Sequence, residues 1–463
     1  MKDAKGMTNK QRRSPAPDPA PNPASATAAP PAPAATSAAT SAAVTRRRLL
    51  ATAGGVGVAG LAVGAAAGYA AAPGHSGAGT GTSADSGAGG YAGVPLTALG
   101  ADSVPFFGTH QAGIVQPAQA RMYAAAFDLT AGTARPGLAA LMKRWSAAAA
   151  AMAEGRTPPG VTDTDVALDA GPSSLTVTFG FGASVFAKAG LGARLPEQLA
   201  PLPAFPSDAL VPANSNGDLW VQVCADDGLV SFHAMRTLQQ LAAGAAAVRW
   251  QMTGFSRSPG ATERPRTVRN LMGQIDGTNN PKPTDKAFNT EVFVPAAGSP
   301  AWMVGGSYAV FRRIRMLLNS WEQQTLTVQE RVIGRYKATG GPLSGGAETT
   351  TVQLDKLNPD GSLAIPGDAH IRVAAAQSNQ GAVLLRRGFS YADGFRPDGA
   401  PDAGLLFVAF QSDPLTGFVP VQRKLTRGDA LSQFIVHESS GLFAVPGGAA
   451  SADGYVGQAL LES

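Results

Sequence analysis

The stretch DLWVQVCADDGLVSFHAMRTLQQLAAGAAAVRWQMTGF, residues 218–255, has a clear secondary-structure pattern. Its opening segment alternates apolar and polar side chains, with Leu219, Val221 and Val223 on one face, as in a half-buried strand. The middle segment has helical spacing up to residue 247, and the last segment returns to a strand pattern. The stretch therefore predicts a strand, a helix and a second strand in succession.

The residues before this stretch show the same kinds of element. Residues 121–129 read as a strand, 138–155 as an Ala-rich helix, and 174–182 as another half-buried strand. The complete order of strand, helix, two strands, helix and strand is typical of a ferredoxin-like α+β unit, in which helices cover one face of an antiparallel sheet. We predict such a unit over residues 104–265.

The second half of the chain has a similar order of elements after a polar, Pro-bearing boundary near residue 265. A helical pattern occupies residues 319–335, and the chain closes with a helix and a short tail. Strand patterns occupy 291–296, 306–317, 381–391 and 404–413. Only the order of the elements indicates that the second half repeats the first; no repeat is visible in the sequence itself. The predicted fold class is α+β, with two stacked ferredoxin-like domains that have antiparallel sheets, the second over residues 266–463.

The N-terminal part of the chain lacks the pattern of a folded domain. Residues 1–44 are rich in Pro and Ala and predict a disordered segment. Residues 45–72 contain consecutive arginines followed by a long, weakly hydrophobic Ala/Gly stretch, which predicts a twin-arginine export signal. A membrane anchor is the alternative. Residues 73–103 read as a flexible linker. We expect an extracellular, periplasmic or envelope-associated protein.

The basic charge of the chain belongs to this N-terminal part. The chain has 37 Lys and Arg against 32 Asp and Glu. Residues 1–72 hold eight of the basic and two of the acidic residues, which leaves 29 positive and 30 negative side chains, a net charge of −1. Nothing in this balance indicates a nucleic-acid partner.

The single cysteine, Cys224, excludes an intramolecular disulfide, which is unusual for an exported protein of this size. A chain that folds in the cytoplasm and crosses the membrane already folded needs no disulfide. The twin-arginine route exists for such proteins, and commonly for those that receive a cofactor before export. The sequence therefore indicates a cofactor without naming it.

Familiar catalytic and metal-binding motifs are missing from the sequence. It contains no HExxH, CxxC, GxSxG or P-loop pattern, so zinc, hydrolase and nucleotide chemistry have little support. What remains are isolated polar residues in apolar settings, each with an ordinary explanation as a turn former, strand residue or strand-ending cap. These residues are Asp276, His370, Arg386 and Asp413.

Asp276 lies between Gly273 and Gly277 in NLMGQIDGTNNP, residues 270–281. The segment GQIDGT carries the GxxDG pattern of the dye-decolourising (DyP-type) haem peroxidases. Further segments resemble this family in the same order and extend from about residue 104 to the C-terminus: PFFGTHQAGI, GDLWVQVCADD, AHIRVA, LLRRGFSY, GLLFVAFQSDP and SGLFAVPGG. With the export signal, the chain resembles the exported deferrochelatase/peroxidase subgroup.

The resemblance implies a dimeric α+β barrel-like fold and one haem b per chain in the C-terminal domain. His370 matches the axial iron ligand, and Asp413 matches the carboxylate that orients it. The other histidines of the ordered region, His110, His233 and His437, are the alternatives. Further predicted cofactor contacts are Gly273, Gly277, Phe407 and Arg313. The neighbours Arg312, Arg313 and Arg315 either meet the haem propionates or form an exposed strand face.

On the other side of the haem, the resemblance implies an aspartate and an arginine, here Asp276 and Arg386. Arg387 is the alternative, and because side chains alternate along a strand, only one of the two arginines can face the iron. We expect Asp276 to accept and return a proton of the peroxide, and Arg386 to stabilise the developing negative charge. A carboxylate in this role predicts an acidic pH optimum.

The function implied is a peroxidase that reduces hydrogen peroxide and oxidises dyes, phenolics or similar one-electron donors. Exposed Trp or Tyr residues could relay electrons from a bulky donor, and Trp302, Trp321, Tyr308 and Tyr391 are available, although large aromatics in strands are more often core residues. One alternative function is a deferrochelatase, which removes iron from haem and has iron-uptake partners. Another is a haem carrier, which has no use for both Asp276 and Arg386. We expect a homo-oligomer.

Overall fold

A computed structural model describes residues 100–262 and 266–463. The predicted disordered N-terminus, the twin-arginine signal and the linker as far as residue 99 lie outside the described residues. In the described part of the chain, no helix has the length and apolar character needed to cross a bilayer.

The strands all join one sheet. In chain order they are β1 (Arg121–Leu129), β2 (Thr176–Gly182), β3 (Leu219–Ala225), β4 (Ala246–Phe255), β5 (Ser307–Met316), β6 (Leu385–Arg386), β7 (Phe389–Phe395), β8 (Pro401–Gln411) and β9 (Ile435–Val445).

Helices connect these strands and cover the sheet. The α-helices are α1 (Arg135–Ala153), α2 (Ala183–Lys188), α3 (Gly228–Ala242), α4 (Phe288–Val292), α5 (Leu318–Glu322), α6 (Leu326–Ile333), α7 (His370–Val373), α8 (Phe418–Gly428) and α9 (Gln458–Leu461). Short 3-10 helices lie at Gly192–Arg194, Glu197–Leu199, Pro212–Asn214, Ala301–Met303, Ala376–Asn379 and Ala430–Gln433.

The N-terminal half forms the ferredoxin-like unit that the sequence predicts. Its strands lie in the order β2-β3-β1-β4, and every neighbouring pair is antiparallel. The helix α3 begins where the Asp227 carboxylate accepts hydrogen bonds from the N–H groups of Leu229 and Val230, which have no partner within the helix. The predicted strand, helix and strand of residues 218–255 are therefore confirmed.

The C-terminal half repeats this strand order as β9-β5-β8-β7. The predicted short tail is wrong, because residues 435–445 form the long strand β9 beside β5. The polar run around His437 hides the strand pattern, since almost all of this strand is buried whichever face a residue occupies. The predicted strand at 291–296 is also wrong. Its residues end helix α4 and continue as a loop in which Phe293 and Val294 are buried, so the apolar character of these two residues reflects burial rather than sheet pairing.

The two halves are joined at their edges rather than simply stacked. Strand β2 pairs with β9, and β4 pairs with β7. Because β5 also pairs with β8, the eight long strands close into a barrel. Closure gives the edge strands of both halves partners for their backbone groups, which removes the exposed edges that isolated sheets would leave.

The barrel interior is filled by large side chains from both halves. Trp220 stacks on Phe443 with ring centroids 5.6 Å apart, and Trp250 stacks on Phe311 at 4.9 Å. These rings belong to one buried cluster that contains residues of both halves. The interior is therefore a packed core, and any ligand site must lie on the outer face of the sheet.

Candidate active site

A space of about 890 Å³ lies against the outer face of the sheet in the C-terminal half and is called the cavity below. Its floor is made by alternate residues of two neighbouring strands: Arg312, Ile314 and Met316 of β5, and Leu405 and Phe407 of β8. Alternation along a strand puts these residues on one face. Phe407, a predicted cofactor contact, therefore does line the cavity.

His370, at the start of α7, lies in the wall of the cavity. Its Nδ1 is 2.7 Å from Oδ2 of Asp429, whose side chain is only 1% exposed. The other oxygen of Asp429 accepts the N–H of Leu431 at 2.9 Å. Burial disfavours the imidazolium, but the charge and hydrogen bond of Asp429 outweigh burial, so the pKa of His370 is raised. Since Nδ1 is occupied by Asp429, a metal bond falls to Nε2.

The prediction that Asp413 orients His370 is wrong. Asp413 follows strand β8, and its Oδ1 accepts the N–H of Leu415 at 2.7 Å while its carbonyl accepts the N–H of Gly417 at 2.9 Å. It therefore shapes a turn. Asp429 was missed because it also begins a 3-10 helix, and the sequence RGDALS shows only that capping role.

Asp276 and Arg386 face the same cavity and form a pair. Nη1 of Arg386 lies 3.0 Å from Oδ1 of Asp276, and both side chains are half-buried. The charges of both residues act on His370, with Arg386 lowering and Asp276 raising its pKa. An imidazole and a carboxylate–guanidinium pair therefore share one enclosed space.

Arg387, the alternative to Arg386, points away from the cavity. It is buried and donates to the carbonyls of Gln116 and Pro117 and to the side-chain oxygen of Gln119. Alternation along the strand separates the two arginines, as the sequence predicts. Of the two, Arg386 is the one that meets Asp276.

The two glycines beside Asp276 have different surroundings. Both adopt positive φ, +77° at Gly273 and +110° at Gly277, which other residues rarely adopt. Gly277 lines the cavity. Gly273 does not, so its predicted cofactor contact is wrong. A Cβ at Gly273 would lie 2.7 Å from Cε of Lys337, so the lack of a side chain at Gly273 leaves room for the side chain of Lys337.

Arg313, a predicted cofactor contact, lies on the opposite face of β5 from the cavity. It pairs with Asp393 at 2.6 Å, with Asp402 at 2.8 Å and with Glu438 at 3.6 Å. Its guanidinium also stacks 3.8 Å from the ring centroid of Tyr391. The prediction for Arg313 is therefore wrong, because alternation along β5 turns Arg312 toward the cavity and Arg313 away from it.

Arg312 supplies unpaired donors at one end of the cavity. It is fully buried and pairs with Asp208, but among the described residues its Nε and Nη1 have no hydrogen-bond partner. Nδ1 of His437 is also buried there without a partner in the described part of the chain. Burial, and then the charge of Arg312, lower the pKa of His437 to about 3. Buried donors require acceptors, so this end of the cavity fits an acidic group.

The other candidates fit a cofactor less well. His110 stacks on Phe293 at 3.5 Å, and His233 lies near Thr164 on helix α3; neither lines the cavity. Within residues 100–262 and 266–463, no group of three or more His, Cys, Asp or Glu could hold a metal ion. A metal in this cavity would therefore bring its other ligands with it.

The aromatic residues named as candidate electron relays are all buried: Trp302, Trp321, Tyr308 and Tyr391.

Comparison with protein families identifies the chain. Residues 111–256 match the family model described as Dyp-type peroxidase, N-terminal, and residues 267–450 match Dyp-type peroxidase, C-terminal. The chain belongs to the DyP-type peroxidase family. It is therefore a peroxidase, an oxidoreductase, and its antiparallel α+β fold is the one that the sequence predicts.

Several members of this family resemble the chain over most of their length. A dye-decolorizing peroxidase of Thermobifida fusca is 44% identical over 76% of this chain and 84% of its own. A deferrochelatase of Yersinia pestis is 37% identical over 78% of this chain and 85% of its own. A crystal structure of a DyP-type peroxidase from Streptomyces coelicolor is 59% identical, covers 80% of this chain and 100% of its own, and has a TM-score of 0.78.

The protein DtpA of Streptomyces lividans has the same level of similarity. Its structure as an oxyferrous complex is 59% identical to this chain, covers 80% of it and 100% of DtpA, and has a TM-score of 0.77. DtpA has also been solved in its ferric form.

Proposed function

We propose that this DyP-type peroxidase binds one haem b in the cavity and uses hydrogen peroxide to oxidise dyes, phenolics or similar one-electron donors. The observation that carries the proposal is that His370 and the Asp276–Arg386 pair line one cavity. His370 would hold the iron through Nε2, while Asp429 keeps the imidazole in place through Nδ1. The oxyferrous and ferric states of the Streptomyces lividans relative support an iron cofactor.

The acid groups of the haem would lie at the end of the cavity where buried donors lack partners. Arg312 Nε and Nη1 and His437 Nδ1 would donate to the propionates. The apolar floor, which includes Phe407, would contact the ring. Gly277, which lines the cavity beside Asp276, would leave room for the cofactor near the backbone.

Hydrogen peroxide supplies the oxidising equivalents of the reaction, and the haem, when bound, would store them for transfer to the organic donor. Asp276 takes the proton from one oxygen of hydrogen peroxide and delivers it to the other oxygen, so that water can leave. Arg386 carries a permanent positive charge and stabilises the negative charge that develops between these proton transfers. The 3.0 Å hydrogen bond between the two side chains keeps the proton carrier and the charge stabiliser together.

Export by the twin-arginine route to the outside of the cytoplasmic membrane completes the proposal. The consecutive arginines in residues 45–72 and the single, buried Cys224 support it, since a protein exported in the folded state needs no disulfide. We also propose that the protein acts as a homo-oligomer.

Removal of iron from haem, together with iron-uptake partners, is the second candidate function. The name of the Yersinia pestis relative favours it. A haem carrier without turnover is disfavoured, since a carrier has no use for the Asp276–Arg386 pair.

The absorption spectrum of the purified protein tests the peroxidase. We expect a Soret band in the wild type and in Asp276→Asn, and a reaction with added peroxide that is about 10²–10⁴-fold slower in the variant. Asp413→Asn is the matched control and should react as the wild type does, because Asp413 only shapes a turn. The rate should peak below neutral pH in the wild type. A protein without a Soret band, or a wild-type optimum above neutral pH, would contradict the proposal.

A further inference from the structure

Strand β6, which carries Arg386, is held by the sheet on one side only. Its two residues, Leu385 and Arg386, pair with Phe410 and Ala409 of β8. The next N–H, that of Arg387, donates to the carbonyl of Val408 at 2.7 Å. Because backbone groups alternate in direction along an antiparallel strand, the N–H and C=O of Arg386 itself point away from β8.

The side chain of Asn280 bonds both of these backbone groups. Its Nδ2 donates to the carbonyl of Arg386 at 2.6 Å, and its Oδ1 accepts the N–H of Arg386 at 3.2 Å. An amide side chain offers one donor and one acceptor side by side, as the edge of a neighbouring strand does. Asn280 therefore takes the place of a further strand at this single position.

Asn280 also belongs to the turn that carries Asp276. Its own N–H donates to the carbonyl of Gly277 at 3.0 Å, which closes the turn just after Asp276. The turn and β6 are far apart in sequence, yet they are joined by two bonds from Asn280 and by the 3.0 Å bond between the side chains of Arg386 and Asp276. The backbone of Arg386 is thus fixed to the segment whose carboxylate its side chain meets.

We propose that Asn280 is a positioning residue for the peroxide reaction, which acts by holding Arg386 against Asp276. This inference rests on the proposed role of that pair. The half-buried side chain of Arg386 lines the cavity and meets Asp276, so a shift of the Arg386 backbone would move the guanidinium away from that carboxylate. Small displacements of a catalytic group are costly, and a shift of about 1 Å can reduce a rate 10²-fold.

Steady-state kinetics of the haem-loaded enzyme test the inference. In Asn280→Ala we expect kcat/KM for hydrogen peroxide to fall roughly 10- to 100-fold. The kcat/KM for a dye, measured at saturating peroxide, should stay within about twofold, because the dye reacts after the peroxide step. A merely structural role would lower both values together. The exposed Asn289→Ala is the matched control and should change neither. Asn280→Asp, which has the same shape, serves if the alanine variant does not fold, and it should also lower the value for peroxide because it lacks the donor to Arg386.

A double-mutant cycle shows whether Asn280 acts through Arg386. In an Arg386→Leu background, Asn280→Ala should cause little further loss in kcat/KM for peroxide, because the group that Asn280 positions is gone. Independent losses that multiply, or unchanged peroxide kinetics in Asn280→Ala, would overturn the inference.

Hydrogen exchange separates this outcome from failure of the proposed function. The amide of Arg386 should exchange at least tenfold faster in Asn280→Ala than in the wild type, whether or not the enzyme turns over. If Arg386→Leu leaves the peroxide reaction unchanged, the proposed role of Arg386 fails. If Arg386→Leu is slow while Asn280→Ala exchanges and reacts as the wild type does, only the positioning role of Asn280 fails.

Discussion

The two halves of the barrel have the same strand order but use the outer face of the sheet differently. In the N-terminal half, α1 and α3 cover this face, and the fully buried Trp145 packs flat on Phe179 with ring centroids 5.4 Å apart. In the C-terminal half, the corresponding face is the floor of the cavity, with Phe407 only partly buried. The N-terminal half, with its covered sheet face, is called the packed half below. The C-terminal half, with its ligand-sized space, is called the hollow half.

The difference comes from what the chain places over each sheet. Helix α1 is 19 residues long and buries a run of alanines, which let it approach the strands closely. Helix α6 has only 8 residues, and the chain then continues from residue 334 to 369 without a helix or a longer strand. A shared strand topology therefore does not decide where a site forms; the segments that connect the strands decide it.

Trp145→Ala, a change in the packed half, should cause the largest loss of stability. The indole is fully buried and donates to the carbonyl of Leu238 at 2.8 Å, so its removal leaves a cavity and takes away a buried hydrogen bond. We expect a loss of about 3–5 kcal/mol in the free energy of unfolding, measured by urea denaturation.

The matched change in the hollow half is Phe407→Ala. Because Phe407 already faces the cavity, its truncation in the haem-free protein should cost about 1 kcal/mol, since partial burial stabilises less. Equal losses for the two variants would refute the contrast between a packed and a hollow half.

The pH dependence of stability gives a further comparison between the halves, because the hollow half contains the imidazole of His437, which is buried and neutral. Its pKa in the folded protein is about 3, against an ordinary value of 6.5. The unfolded chain therefore binds more protons between these values, so stability is lost as pH falls below 6.5. For one such group, the free energy of unfolding falls by about 1.4 kcal/mol per pH unit, or by about 3 kcal/mol between pH 6.5 and pH 4.

Urea denaturation of the haem-free protein from pH 7 to pH 4 checks this effect. His437→Gln should lose less stability on acidification than the wild type by this amount, because glutamine does not titrate. Parallel curves for the two proteins would show that His437 is not responsible. His233→Gln, on helix α3 of the packed half, is the control and should follow the wild type.

Asp429→Ala tests how the C-terminal half would hold the haem. The loss of the 2.7 Å bond to His370 frees the imidazole to rotate, and we expect haem affinity to fall about 10- to 100-fold. Haem titration followed at the Soret band measures it. Asp413→Ala, which changes the carboxylate first predicted for this role, should leave the affinity unchanged; a loss there instead would restore the sequence prediction.

The elements of the packed half were the most predictable part of the fold. Residues 121–129 and 218–255 carry period-two and helical patterns in their residue types, and this holds even for β3, which is buried along its whole length. Such a pattern is missing from two other segments. Strand β9 is buried on both faces, and residues 291–296 are apolar without joining the sheet. In both places, neighbours that are distant in sequence fix the environment.

The candidate site follows the same division. The family resemblance supplied Asp276, His370 and Arg386 as candidates, and all three line the cavity. It did not supply the side chains that hold them. Asp429 is 59 residues from His370, and Asn280 is 106 residues from Arg386. Each also has an ordinary local role in a cap or turn, which conceals its distant partner.

The sequence by itself determined the α+β class, the order of elements in the N-terminal half and the residue types of the site, because periodicity and motifs are local properties of the chain. Only the tertiary structure decided that the sheet closes into a barrel, that Arg312 and Arg386 face the cavity while Arg313 and Arg387 turn away, and that Asp429 meets His370. Those outcomes depend on strand register and on which loops come together, and these are set by contacts between residues far apart in the chain.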